Sequence, residues 1–383
     1  MVKELFADLS KDYKYTMNAM PRGKDEQKSV SFACNLPHKV VSIDDNLNCI
    51  LCICDGWLPI PVGQVQDFTS LPEIFSSPKA KILQADIDAK TYTWCAVQNC
   101  GIKHHNVLRS DYQVVINIDR SCNLQCPSCR RDKFMLTSGS LYDKKIAAAN
   151  QILNWLDQLD EPIDIVTSGD GDPLASLVMR PLIKNWKFKP KQKITIKTNG
   201  MLIKKQLQNT KMLRSARFSI SVDAGSKDVF EKIRLGGNWK ILLDNFDFLV
   251  KNKKQKFTFL NFTLQKDNYR DLENFVKLCE HYQFCGTVSK LCDWGTWNLQ
   301  DVSQPDEWTQ KNGYFYEHDV LQLEHANYKE AASICTQFLD HPLVYIDTSV
   351  REKLYAINPK KVSTREALGT LGRLCLRSGL DSQ

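Results

Sequence analysis

The chain has 383 residues, 43% hydrophobic and 25% charged, with a formal net charge of +7. This excludes a disordered or collagen-like chain and a disulfide-stapled miniprotein, and at roughly 150 residues per domain two or three domains are expected. The charge is mild: it permits an anionic ligand or nucleic acid and demands neither.

The opening MVKELFADLSKDYKYTM has mixed charges and no apolar core, so no signal peptide is expected. No stretch reaches 18 apolar residues, so no membrane span is expected either. The expected compartment is the cytoplasm, where thiols stay reduced. Fourteen cysteines there call for another explanation. They cluster at 34, 49, 52 and 54, at 95 and 100, and at 122, 126 and 129, and clustered intracellular cysteines point to metal. The sparse ones at 279, 285, 292, 335 and 375 read as small buried hydrophobes.

The first hundred residues are irregular and cysteine-rich. Within them VVSIDDNLNCILC (40–52) reads as a hairpin: strand, polar turn, strand. On its second strand Cys52 and Cys54 share a face, and Cys49 points the other way. From residue 112 a rhythm sets in. YQVVINI (112–118) is a predicted strand and KKIAAANQILNWLDQL (144–159) a helix. PIDIVTS (162–168) and ITIKTNG (194–200) are strands, with MLIKKQLQNTKML (201–213) helical. ARFSISVD (216–223) is a strand and WKILLDNFDFLVKN (239–252) a helix. KNKKQK (251–256) reads as a solvated turn. FTFLNFTL (257–264) is a strand, NYRDLENFVKLCEHYQ (268–283) a helix and GTVSKL (286–291) the last strand of the series.

Strands alternating with helices give an α/β protein with a parallel sheet, and six strands suit a partial (β/α)6 TIM-like barrel. Residues 1–110 then form an N-terminal cysteine-rich module, 111–292 the barrel, and 293–383 a C-terminal extension covering it. In the extension VLQLEHANYKEAASICTQFL reads as largely helical and PLVYIDT (342–348) as strand-like. Active sites of such barrels lie at the C-terminal ends of the strands.

SCNLQCPSC (121–129) follows directly on the first barrel strand, at that catalytic end. Three residues separate Cys122 from Cys126 and two separate Cys126 from Cys129. Three thiolates on one loop can hold three irons of a [4Fe–4S] cluster and leave the fourth open, as a catalytic site does. A zinc site would want a fourth ligand, and His104 and His105 lie on the far side of the strand. Spacing alone leaves both metals open.

CNLQCPSC resembles the CxxxCxxC signature of the radical S-adenosylmethionine (radical SAM) enzymes. Four further segments are similar to motifs of that family, in order. SGDGDPL (168–174) resembles GGEPL, KTNGML (197–202) the TNG segment, and FSISVDAG (218–225) with Arg234 the SxDG…R pattern; Asn268 matches an Asn after the fifth strand. The resemblance implies that Cys122, Cys126 and Cys129 ligate a [4Fe–4S] cluster whose open iron binds S-adenosylmethionine. It implies a cofactor-binding set of Gly169, Asp170, Gly171, Asp172, Asn199, Ser221, Asp223 and Arg234. In that set a carboxylate of SGDGDPL receives the methionine ammonium, Ser221 contacts the ribose and Arg234 the methionine carboxylate. Where the family usually has an aromatic before the last cysteine, Ser128 stands here, so its place falls to Phe134 or to the extension. Asp119 and Arg120, just before the loop, are positioned to orient it.

The stretch from Cys34 to Cys100 is similar to the auxiliary-cluster module called SPASM, or its shorter form twitch. The resemblance rests on the hairpin, on LPEIFSSPKAKILQADI (71–87) and on WCAVQNC (94–100). It implies Cys34, Cys52, Cys95 and Cys100 as ligands of an auxiliary iron–sulfur cluster, most simply [4Fe–4S], with Cys54 and Cys49 in reserve. Two features depart from the pattern: Leu47 replaces the turn glycine, and the module precedes the barrel. Zinc, [2Fe–2S] or buried thiols are the alternatives for this set.

Together these readings give a radical SAM enzyme with one auxiliary cluster, fed by a reductant such as flavodoxin or ferredoxin. The alternative is a non-catalytic zinc or iron–sulfur adapter for nucleic acid, which would have no use for a methionine- and ribose-binding set. The residues single out no catalytic acid or base, and nucleic acid and membrane are not indicated. A small molecule, sugar or nucleotide is favoured over a peptide, because no flanking peptide-binding winged helix is seen. Trp294, Trp297 and Cys292 past the last strand are candidates for the mouth.

Overall fold

The computed structural model describes residues 32–53, 58, 60–95, 100, 106–129, 133–167, 171–291 and 313–355. Cys54, Gly169, Asp170, Cys292, Trp294 and Trp297 lie outside them. The six predicted barrel strands are present as β4 (Tyr112–Ile116), β5 (Ile163–Thr167), β6 (Gln192–Thr198), β7 (Ala216–Ser221), β8 (Thr258–Leu264) and β9 (Cys285–Lys290). Each pairs in parallel with the next, the order expected when every strand returns through a helix.

The sheet is longer than the sequence suggests. The hairpin strands β1 (Val40–Ile43) and β2 (Asn48–Ile50), with β3 (Pro61–Gln64), extend it beyond β4. β1 lies parallel to β4, Val41 opposite Val114 and Ile43 opposite Ile116, while β2 and β3 turn back antiparallel. At the other edge β10 (Val344–Ile346), from the extension, pairs in parallel with β9. The ten strands form one open sheet in the order β10-β9-β8-β7-β6-β5-β4-β1-β2-β3. The hairpin turn needs a left-handed residue, and Leu47 takes it at φ 67°. A glycine would adopt this φ without strain; in Leu47 the strain is offset by the side chain, which is 4% exposed in the core.

One face of the sheet is apolar because each helix lays an apolar stripe on it. The helix Ser140–Gln158 buries Ala148, Ala149, Ile152, Trp155 and Leu156, spaced for one face. It also carries the N-terminal segment: buried Lys145 pairs with Asp45 of the hairpin turn, and Gln151 Nε2–H donates to the Phe68 carbonyl at 3.1 Å. The segment 201–213, expected as one helix, is two short ones, Ile203–Leu207 and Met212–Ser215, with Asn209 at φ 69° between them. Of the stretch 320–339 only Tyr328–Thr336 is α-helical. Lys254, expected solvated, is buried and donates from Nζ to the Arg214 carbonyl at 2.9 Å. Among the described residues no helix is long and apolar enough to cross a membrane.

β9 meets the helix Leu272–Tyr282 so closely that Gly286 has no room for a side chain. A Cβ there would stand 2.8 Å from Cys279 Sγ and 3.0 Å from the Phe275 ring. Gly286→Ala should therefore cost about 1–3 kcal/mol by overpacking. A urea titration with an unchanged midpoint would show that the helix is not seated as described.

Candidate metal and cofactor site

The parallel strands end on one edge of the sheet, and the loops after β4 to β7 converge there. The cysteine loop leaves β4 and closes on itself. Cys122 N–H donates to the Phe134 carbonyl at 3.0 Å and Leu136 N–H to Ser121 Oγ at 2.8 Å. Asp119 orients its base, as expected: its carboxylate accepts from Ser121 N–H at 3.2 Å, from Ser121 Oγ–H at 3.1 Å and from the Ser176 hydroxyl. Cys129 N–H donates to the Cys126 carbonyl at 3.0 Å, which keeps the last two cysteines on one turn.

The loop after β5 is pressed against this base. A Cβ on Gly171 would lie 2.4 Å from the Ser121 carbonyl oxygen, so only glycine fits. Asp172 N–H donates to the same oxygen at 2.8 Å. The Asp172 carboxylate is fully used inside the fold. One oxygen accepts from Thr198 Oγ1–H and Asn199 N–H, both at 2.7 Å; the other accepts from Leu174 N–H at 2.9 Å and Ala175 N–H at 3.3 Å. A carboxylate has about four lone-pair sites, and here all are taken. In this structure Asp172, expected near a methionine ammonium, is a buried tie holding the loops after β4, β5 and β6 together. Burial raises its pKa, and the four donors act against that rise.

Asn199 and Arg234 reach the cysteines. Asn199 Nδ2–H donates to Asn123 Oδ1 at 2.9 Å and stands 3.7 Å from Cys122 Sγ, while Leu124 N–H donates to the same sulfur at 3.4 Å. Arg234 forms a 2.5 Å ion pair with Asp223, and its other terminal nitrogen lies 3.7 Å from Cys126 Sγ. Its Nε is buried with no partner among the described residues. The charge expected for a methionine carboxylate is thus already shared between Asp223 and Cys126. Burial pushes the Cys126 thiol up, and the guanidinium is the largest influence pulling it back toward thiolate. Asp223 sits at φ 57° and accepts from Thr263 N–H at 2.7 Å. Asn268 Nδ2–H fixes that turn by donating to the Asp223 and Thr263 carbonyls at 2.9 and 2.8 Å. Ser221, the last residue of β7, is partly exposed opposite Asn261.

One residue at this mouth had no sequence signal. The short helix Gly313–His318 brings in buried Tyr314, whose hydroxyl donates to Gln265 Oε1 at 2.8 Å. Burial raises its pKa, and the charges of Asp267, Asp223 and Cys126 add to the rise. Tyr314 therefore lies within electrostatic reach of the cysteine loop. Its ring stacks on His318 at 3.8 Å.

A second group of thiols gathers elsewhere. Cys34 and Cys95 pack against a small cluster of Ile87, Tyr92 and Cys100. Tyr92 is fully buried at φ 49°, its hydroxyl donates to the Phe32 carbonyl at 2.8 Å, and burial with the three thiols raises its pKa to about 12. Cys52 is buried in the main core, against which Cys34 and Cys95 also pack. Among the described residues no three His, Cys, Asp or Glu side chains stand at metal-ligand spacing. Cys122 and Cys34 instead accept hydrogen bonds from Leu124 N–H and Leu36 N–H, both at 3.4 Å. The donor set around the cysteine loop nevertheless fits a thiolate-held cluster: an amide N–H, a side-chain amide and a guanidinium are all directed at sulfur.

Residues 116–279 match the family model of the Radical SAM superfamily. Members of that superfamily are enzymes that use a [4Fe–4S] cluster and S-adenosylmethionine. "Molybdenum cofactor biosynthesis protein 1" of Dictyostelium discoideum is 27% identical over 185 residues, 48% of this chain and 27% of that protein. "GTP 3',8-cyclase" of Alkaliphilus metalliredigens (strain QYMF) is 30% identical over 145 residues, 36% of this chain and 42% of that protein. Both similarities thus span less than half of the relative's length. The solved structure "Native anSMEcpe with bound AdoMet" is similar at a TM-score of 0.39 and 16% identity, covering 61% of this chain and 64% of that one.

The role found for Asp172 differs in outcome from that of a ligand contact. Asp172→Asn turns an N–H₂ against donors and should cost about 1–3 kcal/mol, whereas Ser221→Ala should cost less than about 0.5 kcal/mol. Equal urea midpoints for the two variants would contradict the tie.

Proposed function

We propose that this chain, whose residues 116–279 match the Radical SAM superfamily, is a radical SAM enzyme with Cys122, Cys126 and Cys129 as its cluster ligands. When bound, the [4Fe–4S] cluster and S-adenosylmethionine together supply a 5′-deoxyadenosyl radical that abstracts hydrogen from the substrate. The observation that carries this reading is the clamped loop: three cysteines at the end of β4, with Asn199 and Arg234 directing donors at two of their sulfurs.

In this reading the chain's residues divide the labour. Arg234 favours the thiolate that ligation requires, and Asp223 holds Arg234 in place. The N–H groups directed at sulfur withdraw charge from the thiolates and so tune the potential of whatever they hold. Asp172 and Asp119 spend their oxygens on the loops and keep the cysteines in register. Gly169, Asp170, Asn199 and Ser221 remain the proposed cofactor contacts. Gly171 is taken up by its packing on the Ser121 carbonyl.

We further read Cys34, Cys95 and Cys100 as three ligands of an auxiliary iron–sulfur centre, supported by their packing around Tyr92. A fourth ligand would come from the 49–54 segment. The substrate is read as a small molecule, sugar or nucleotide rather than a peptide. An electron donor such as flavodoxin or ferredoxin completes the cycle.

Anaerobic reconstitution tests the reading. The intact chain should bind about eight irons, and Cys122→Ala/Cys126→Ala/Cys129→Ala about four. Dithionite with S-adenosylmethionine should release 5′-deoxyadenosine from the first and none from the second. Zinc in place of iron, or release that survives the triple substitution, would overturn it.

A further inference from the structure

Nine large apolar side chains are exposed among the described residues, and three of them border the cysteine loop. Phe134 is 42% exposed and Met135 38%. They lie on the segment that closes the loop, where the Phe134 carbonyl accepts from Cys122 N–H at 3.0 Å. Leu235 is 48% exposed on a second flank, where its carbonyl accepts from Gln125 N–H at 3.0 Å. Cys122 and Gln125 are three residues apart, so the two anchor points are at most about 11 Å apart along the loop. Cys122 and Cys129 are themselves partly exposed. A single exposed apolar residue is ordinary; three held around one loop are a surface feature. The flanks grip the loop through backbone atoms, so this grip does not use the three side chains.

The charge of both flanks leans positive. In the sequence, 130–144 and 227–240 each carry four bases and two acids. Arg234 is paired with Asp223, and Lys232 with Asp267 at 2.8 Å. Lys133, beside Phe134, and Lys240, five residues after Leu235, are exposed and form no ion pair among the described residues. Glu231 on the second flank accepts from Trp239 N–H at 3.1 Å. An apolar centre with a charged rim is the anatomy of a protein-docking surface, and a basic rim selects an acidic partner. Redox encounters between proteins are small, below about 1,200 Å² in all, so a three-residue centre suffices.

We propose that Phe134, Met135 and Leu235, rimmed by Lys133 and Lys240, form the docking face for a flavodoxin. Such a donor is acidic, and its flavin presents an apolar dimethylbenzene edge that a phenyl ring, a thioether and a leucine can meet. Docked here, it stands against the partly exposed cysteines, where the electron is needed. One electron leaves the anionic flavin hydroquinone, giving the neutral semiquinone, and reduces the cluster that the loop is proposed to hold; no proton moves. This deepens the function proposed above and rests on it for the destination of the electron. The docking itself rests on the surface alone.

Biolayer interferometry of the reconstituted full chain against a bacterial flavodoxin reads docking without turnover. Saturable binding that weakens with added salt is expected. Met135→Ser/Leu235→Ser should weaken it about tenfold or more. Lys133→Glu should weaken it about threefold at low salt, and the difference should close as salt is added. Leu108→Ser, an exposed position before β4 and so at the other end of that strand, should bind as the intact chain does. Release of 5′-deoxyadenosine gives a second readout. In Met135→Ser/Leu235→Ser it should fall about tenfold with reduced flavodoxin and persist with dithionite, a small reductant that needs no docking face. Iron content and far-ultraviolet circular dichroism verify that the variants fold. Equal flavodoxin binding by the double variant, or an equal fall with both reductants, overturns the proposal. Patch-dependent flavodoxin binding by a chain that releases no 5′-deoxyadenosine with dithionite would sink the radical reading and leave the docking face standing.

Discussion

The carboxylate of Asp172 is the constraint around which the cysteine end of the sheet is arranged. A buried carboxylate is costly unless its oxygens are hydrogen-bonded. Here the donors come from Thr198, Asn199, Leu174 and Ala175, on two different loops, and its own N–H reaches the base of the cysteine loop. Satisfying one side chain therefore fixes three loops relative to one another. The side chain of Asn199 can reach Cys122 only because its backbone is held in this way. Gly171 closes the same joint from the other side, where a methyl group would collide with the Ser121 carbonyl.

A second joint repeats the logic on the neighbouring strands. Asp223 spends one oxygen on the Thr263 amide and the other on Arg234, and Asn268 pins both turns through their carbonyls. Arg234 is thereby carried to Cys126. The cysteine loop is thus gripped from β6 and from β7, by a neutral amide on one side and a cation on the other. Thiolates that hold metal need this kind of second layer as much as they need correct spacing.

The N-terminal segment is welded to the barrel rather than hung from it. β1 continues the sheet beside β4, and Lys145 reaches across to Asp45. Cys49 and Cys52 are buried in the main core, and Cys34 and Cys95 pack both against that core and against the small cluster of Ile87, Tyr92 and Cys100. At the other end β10 caps the sheet beside β9, and the helix Gly313–His318, earlier in the same extension, brings Tyr314 to Gln265.

The local pattern of the sequence determined the six barrel strands, most of their helices and the hairpin, because period and turn residues act over a few positions. It also determined the cysteine loop, since the spacing of Cys122, Cys126 and Cys129 is itself a short-range fact. It marked Leu47 as the residue standing where the turn glycine is usual, and the structure puts that residue at φ 67°. Only the tertiary structure decided which strands flank the six, because strand order depends on contacts between residues 40–43 and 112–116, far apart in the chain. It likewise decided that Asp172 is a tie and that Arg234 is already paired, because a carboxylate's role is set by the donors that folding brings to it. The places of Tyr314 at the Gln265 side chain and of Tyr92 among Cys34, Cys95 and Cys100 left no periodic or spacing signal. They follow from packing between distant segments, where no local rule reaches.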